Sequence, residues 1–259
     1  MLETIMRHLV VGPAYHLLTR TKVIGREHIP PVGSAAIIAS NHLSFSDSIV
    51  IPLAAGRPVA FLGKAEYFQG TGVRGALMRA WFGSFGTIPV ERTDARAAAE
   101  SLQLARAALA EGGAFGIYPE GTRSRDGRLH RGRTGVARLA LDSGAPIIPC
   151  ALIGTASFQP PDRRLPRPAK VTVAFGPPVD VASLEAQFSK SALLRAITDA
   201  TMNAIAQMSG QERSGRYASD VNAEVNPPAD PATPSAPGPH STPADAAAHS
   251  APADPADRA

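Results

Sequence analysis

The chain has one cysteine, Cys150, among 259 residues. That excludes an intrachain disulfide and any cysteine-rich metal site. Its setting, the apolar run Ile147-Ile148-Pro149-Cys150-Ala151-Leu152-Ile153, predicts a small buried side chain in a reducing compartment. Aromatic residues make up only 5% of the chain and do not interleave with the basic ones, which argues against a nucleic-acid partner. Nowhere does an apolar run reach the roughly 18 residues of a membrane span. Glu3, Arg7 and Pro13 break up the start, so no secretory leader is expected. The chain also lacks a Ser in a Gly-x-Ser-x-Gly turn and any His, Cys and carboxylate cluster at ligand spacing. Neither a nucleophile elbow nor a metal centre is therefore expected.

Aliphatic side chains larger than Ala are missing beyond Val225, where Ala, Pro, Asp, Ser and Thr dominate. Such a stretch cannot bury enough apolar surface to offset its ordering entropy. Residues 211–259 are accordingly expected to form a disordered tail. Setting aside the tail's seven acidic and three basic residues leaves 23 Lys and Arg against 15 Asp and Glu, a net charge of +8 on residues 1–210. A domain this basic expects an anionic partner such as a membrane surface or a phosphorylated substrate. Residues 1–20 show apolar positions at helical spacing (Leu2, Ile5, Met6, Leu9, Val10, then Tyr15, Leu17, Leu18), interrupted at Gly12-Pro13. This segment either packs on the domain or lies in a membrane interface.

Residues 21–210 alternate strand-like and helix-like stretches. Short apolar runs at 35–39, 58–63, 86–90, 114–118 and 146–153 read as buried strands. Helical patterns follow at 49–55, 73–82, 94–111, 134–142 and 189–209, and residues 170–175 alternate as a half-exposed strand. The expected fold is a three-layer α/β domain with a mostly parallel, mixed sheet. In such a fold the carboxyl ends of the strands form the ligand-binding rim. Four of them would place His42, Asp47, Lys64, Glu66, Arg92, Glu120, Thr122 and Arg123 along one edge.

The stretch Ser40-Asn41-His42-Leu43-Ser44-Phe45-Ser46-Asp47-Ser48 bridges a predicted strand and a predicted helix. A His followed five residues later by an Asp, across such a turn, can fold back into a hydrogen-bonded pair. The carboxylate would then fix the imidazole tautomer for general-base work. On these residues alone Asp47 or Ser48 can equally be a helix cap. Ser44 and Ser46 read as turn-forming hydroxyls.

Four blocks recur in order: Asn41-His42-(four residues)-Asp47; Gly86-Thr87-Ile88-Pro89-Val90-Glu91-Arg92; Tyr118-Pro119-Glu120-Gly121-Thr122-Arg123-Ser124; and Ile148-Pro149-Cys150-Ala151-Leu152-Ile153-Gly154-Thr155. With these blocks the chain resembles the lysophospholipid acyltransferase family from about residue 20 to about 180, its 1-acyl-sn-glycerol-3-phosphate branch most closely. The resemblance implies transfer of a fatty acyl group from a coenzyme A or acyl-carrier-protein thioester to a lysophospholipid hydroxyl. It implies no cofactor beyond that co-substrate.

By position, the resemblance makes His42 the general base and Asp47 its orienting partner. Arg92 and the turn Glu120-Gly121-Thr122-Arg123 would hold the acceptor phosphate, with Lys64 at a further basic position. Pro149 and Thr155 would shape the acyl or donor side. Glu120 is expected to orient the Arg123 guanidinium. The basic loop 123–133 is open to two readings, a solvated loop or a contact with anionic headgroups. His130 and the other histidines outside the pair are expected to be structural or exposed. A peripheral enzyme at the cytoplasmic face of the cell membrane is expected. Two other readings stay open. One is the same chemistry on glycerol-3-phosphate, a lyso-ornithine lipid or a glycolipid; the other is a membrane-binding module without catalysis.

Overall fold

A computed structural model describes residues 12–64, 69–72, 75, 87–90, 95–160 and 165–225. Lys64 and the strand residues Pro89 and Val90 are described by backbone only. The expected helix over 73–82, the tail from 226 and the first half of the N-terminal segment lie outside the described residues.

Among the described residues seven strands form one sheet: β1 (Lys22–Ile24), β2 (Ala36–Ser40), β3 (Val59–Lys64), β4 (Thr87–Val90), β5 (Ala114–Ile117), β6 (Ile147–Ile153) and β7 (Thr172–Phe175). Their order across the sheet is β1-β7-β6-β2-β5-β3-β4. The pairs from β6 through β2, β5 and β3 to β4 are all parallel, whereas β7 runs antiparallel to β6 and parallel to β1. The described helices are α1 (Gly12–Thr19), α2 (Asp47–Ala55), α3 (Ala95–Ala110), α4 (Gly135–Ser143), α5 (Thr155–Phe158), α6 (Val181–Gln187), α7 (Lys190–Ser209) and α8 (Ala218–Val225). Among the described residues no helix is long and apolar enough to cross a membrane.

The three layers follow from the two-residue period of the strands. In β2, Ala36 and Ile38 face one apolar cluster with Val50, Ile51 and Ala54 of α2 and Tyr15 of α1. Ile37 and Ala39 face the other, with Ala105 and Leu109 of α3, Val136, Leu139 and Ala140 of α4, and Ile197 of α7. All five β2 residues are buried, as a central parallel strand covered on both faces requires. Gly116 in β5 has no side chain because the ring of Phe61 from β3 fills the space where a Cβ would project.

Pro149 interrupts β6 without breaking it. Its carbonyl accepts from Gly176 at 2.8 Å, on the β7 side. The β6–β7 ladder begins one residue later, at Cys150 with Phe175, so the missing N–H falls beyond the paired stretch.

Two expectations are corrected. Ser46, not Asp47 or Ser48, is the N-cap of α2, and Asp47 is the first helical residue. Its acidic side chain suits the positive helix start, yet it turns back toward the preceding loop. The second correction concerns the chain after 210, which composition assigns to the tail. Residues 211–225 lie on the domain instead. Residues 212–216 run beside 129–131 through main-chain bonds Leu129 N–H to Glu212 O, Ser214 N–H to Leu129 O and Arg131 N–H to Arg216 O, each 2.8 to 2.9 Å. Tyr217 and the fully buried Ala218 supply the apolar contact that composition alone understates.

At the opposite end of the sheet, the buried Arg57 guanidinium donates to the carbonyls of Pro30, Pro31, Ser34 and Gly112 at 2.6 to 3.3 Å. It joins the loop entering β2 to the loop entering β5. Arg57→Met removes these donors; Pro31 O keeps the Ser34 N–H at 3.1 Å, and the other carbonyls lose their guanidinium partner, at about 1–3 kcal/mol for each that stays shielded from water. Chemical denaturation is expected to show a loss of at least about 2 kcal/mol.

Candidate active site

The parallel register of β2 with β5 pairs Ala39 with Ile117, so both strands deliver their following loops to one rim. β2 ends at Ser40, where its ladder with β6 ends opposite Cys150. The Asn41 side chain then takes over from the backbone. Its Oδ1 accepts from Leu152 N–H at 2.8 Å and its Nδ2 donates to Leu152 O at 2.9 Å, continuing the pairing as the main chain turns away. A second bond from Nδ2 reaches Gln211 Oε1 at 2.6 Å.

His42 follows directly. Its Nδ1 lies 2.8 Å from Asp47 Oδ2, and the same oxygen accepts from the N–H groups of Leu43 at 2.7 Å and Ser44 at 2.8 Å. Because that oxygen only accepts, Nδ1 carries the imidazole proton and Nε2 the lone pair. Asp47 is fully buried, while the His42 side chain is 18% exposed. Its Nε2 has no partner among the described residues. The pair therefore has a fixed back and an open edge. Ser44 and Ser46 bond to each other at 2.9 Å, and Ser44 Oγ donates to Gln159 O at 2.8 Å, which confirms them as turn formers.

Tyr118, at the end of β5, covers one face of the imidazole. The two rings stack with centroids 3.8 Å apart and planes 7° from parallel. Tyr118 in turn stacks on Phe61 at 5.3 Å and bonds Ser48 Oγ through its hydroxyl at 2.8 Å. The motif around Tyr118 is visible in sequence, but this stacking depends on β5 lying next to β2, which the sequence pattern does not specify.

Glu120 has a different role from the expected one. Its carboxylate does not orient Arg123; it is fully buried and accepts from His42 N–H at 3.1 Å and His130 N–H at 2.9 Å. Burial pushes its pKa up from 4.5 to about 7, against the two backbone hydrogen bonds, which lower it. Glu120 thus ties the turn after β2 to the basic loop. It presents no oxygen to a ligand.

Gly121 turns the chain at φ 79°, and its N–H returns to Tyr118 O at 2.9 Å. Thr122 and Arg123 are half-buried, and the Arg123 guanidinium has no partner among the described residues. Ser124 N–H donates to His42 O at 2.8 Å, so Arg123 sits one residue from a direct main-chain link to His42. His130, expected to be structural or exposed, is buried and bonds Asp126 through Nε2 at 2.9 Å. Burial raises the Asp126 pKa, but bonds from Arg128 N–H, His130 and Ser124 outweigh it and hold the pKa below its ordinary value.

The remaining site residues divide. Arg92 lies outside the described residues, as does the Lys64 side chain at the end of β3. Pro149 and Thr155 are described, and both are buried, Pro149 within β6 and Thr155 at the start of α5. Neither lines an open surface, because the sheet interior and the α5 turn enclose them. Among the described residues no group of three His, Cys, Asp or Glu is placed to hold a metal ion.

The raised Glu120 pKa has a sign that can be tested. Unfolded Glu loses its proton near 4.5 and folded Glu120 near 7. The stability this group contributes is therefore full below about 4.5 and lost as pH rises through about 7. Glu120→Gln keeps one acceptor but turns an NH2 toward a buried N–H. Its stability deficit against the unaltered chain is expected to be largest below about pH 4.5. It should narrow by up to about 3 kcal/mol by pH 8, as read by denaturation at each pH.

Known proteins are similar to this chain across the site. A family model described as Acyltransferase matches residues 20–153. A 1-acyl-sn-glycerol-3-phosphate acyltransferase of Borreliella burgdorferi is 30% identical over 177 residues, covering 68% of each chain. The chloroplastic 1-acyl-sn-glycerol-3-phosphate acyltransferase BAT2 of Brassica napus is 31% identical over 54% of this chain and 39% of its own. A Chlamydomonas reinhardtii relative is covered over 45% of its length, so the chain spans less than half of either. Among solved structures, the 1-acyl-sn-glycerophosphate (LPA) acyltransferase from Thermotoga maritima shares the fold, with a TM-score of 0.58 at 24% identity over 80% of this chain and 78% of its own. The matched residues include the His42–Asp47 pair, the stacked Tyr118 and the Glu120–Arg123 turn, and the chain belongs to the acyltransferase family.

Proposed function

We propose that this chain moves a fatty acyl group from an acyl thioester to the sn-2 hydroxyl of 1-acyl-sn-glycerol-3-phosphate, giving phosphatidate. The observation that carries the reading is the open Nε2 edge of His42, backed by Asp47, beside the turn that bears Arg123. The acceptor comes from the names of the Borreliella and Brassica relatives.

In this reaction His42 Nε2 takes the hydroxyl proton as the acceptor oxygen attacks the thioester carbonyl carbon. Asp47 and the stacked Tyr118 hold the ring still, and the carboxylate stabilises the imidazolium that forms. The tetrahedral intermediate then expels the thiolate, and the imidazolium returns the proton to that sulfur. No acyl-enzyme is needed. Arg123 meets the acceptor phosphate with a planar, multi-donor group suited to it, and Arg92 and Lys64 supply further positive charge in this reading. The donor is a thioester of coenzyme A or acyl-carrier protein. The chain works at the cytoplasmic face of the cell membrane, attached peripherally through the part of the N-terminal segment before α1 and the basic loop.

Two substitutions test this. His42→Ala should lower kcat at least about 10²-fold with lysophosphatidate and acyl-coenzyme A, the usual worth of a general base. Turnover within tenfold of the unaltered chain rules out the base assignment. Arg123→Ala should raise KM for lysophosphatidate by about 10-fold or more, as expected for a lost charge-assisted contact, with the thioester KM unchanged. An unmoved acceptor KM points to an acceptor without phosphate.

A further inference from the structure

Between Glu120 and α4 the loop that carries Arg123 has almost no regular structure of its own. Besides the bonds to Glu120, His42 and Pro119, it is held by residues 211–225, which lie beyond the stretch matched by the family model. Asn222, in α8, donates through Nδ2 to Arg123 O at 2.9 Å. Tyr217 lies under two guanidinium groups of the loop, Arg131 at 5.3 Å and Arg133 at 5.1 Å from its ring centre. Arg133 also donates to Ser219 Oγ at 3.0 Å, and its stem runs beside Gly121, where a Cβ would crowd it. At the segment's other end, Gln211 donates to Gly127 O at 2.8 Å and accepts from Asn41, the residue before His42. Arg128 pairs with Glu212 across the same boundary.

One short segment therefore touches both sides of the site. Gln211 is linked to the turn that holds the base, and Asn222 to the carbonyl of the arginine proposed to hold phosphate. The Arg123 side chain has no partner of its own among the described residues, so its direction is set by its backbone, and Asn222 holds that backbone.

We infer that residues 211–225 are an acceptor-side positioning element, with Asn222 the positioning residue for Arg123. This rests on Arg123 meeting the acceptor phosphate. The segment does not touch substrate; it fixes the loop so that the guanidinium meets the phosphate without first being ordered, a cost that otherwise appears in acceptor affinity.

The test is steady-state kinetics on the full chain with lysophosphatidate and acyl-coenzyme A. Asn222→Ala is expected to raise the lysophosphatidate KM about three- to tenfold, leaving kcat within about twofold and the thioester KM unchanged. In an Arg123→Ala background the same change should add nothing, because the two residues act as one unit. Amide hydrogen exchange at residues 122–126 should speed up in Asn222→Ala while core amides keep their rates. Asn222→Asp, equal in size but without the N–H, should act alike and serves if alanine costs the fold. If Arg123→Ala raises KM and neither Asn222 variant does, or if the effects multiply, the inference is overturned and the phosphate reading stands. If Arg123→Ala leaves KM unmoved, both fall. A lowered KM in either Asn222 variant would make the segment an inhibitory cover and overturn the inference as well.

Discussion

Parallel pairing of Ala39 with Ile117 determines which side chains meet beyond β2 and β5. A slip of one residue would exchange the faces of the strand and bury the wrong set. With the register as it is, His42 comes to lie against Tyr118, and Glu120 reaches back to the His42 N–H. The apolar core enforces this register, since Ile37 and Ala39 must face α3, α4 and α7 while Ile38 faces α2. The chemistry at the rim is a by-product of a packing problem solved inside the sheet.

The buried polar groups at the rim are arranged to be satisfied from the main chain. Asp47 Oδ2 takes two backbone N–H groups besides the imidazole, Glu120 takes two from different loops, and Asn41 imitates a strand residue for Leu152. A buried carboxylate without such donors would cost several kcal/mol. Here the same bonds that reduce that cost also fix the loops. The His42 imidazole is thereby held in place before any ligand arrives, which is what the proposed proton transfer from a bound hydroxyl requires.

Much of this was legible in the residues. The strand-helix alternation yields the layered fold, and the spacing of His42 and Asp47 across a strand-to-helix turn yields their pairing. What stayed hidden depended on which strands are neighbours. Glu120 and Arg123 are close in sequence and opposite in charge, so a local pair looks natural; the β2–β5 adjacency instead offers Glu120 two backbone donors that no local pattern reveals. Tyr118 stacks on His42 for the same reason. Residues 211–225 look like the beginning of a Pro-rich tail because their few apolar groups, Tyr217 and Val221, are sparse, yet main-chain bonding to 129–131 holds them. The short α6 carries its own signal in the residues: Asp180, after two prolines, caps it by accepting from Ser183 N–H at 3.0 Å.

The empty side-chain position at Gly116 has a mechanical consequence. Phe61 occupies it, Tyr118 rests on Phe61, and the imidazole rests on Tyr118. A methyl group added deep in the sheet would press on this column of three rings, and the His42 imidazole would ride at its end. Sequence drift on that face is thus constrained from the rim inward: a bulkier residue at 116 calls for a smaller one at 61. The two positions should drift as a couple over evolutionary time.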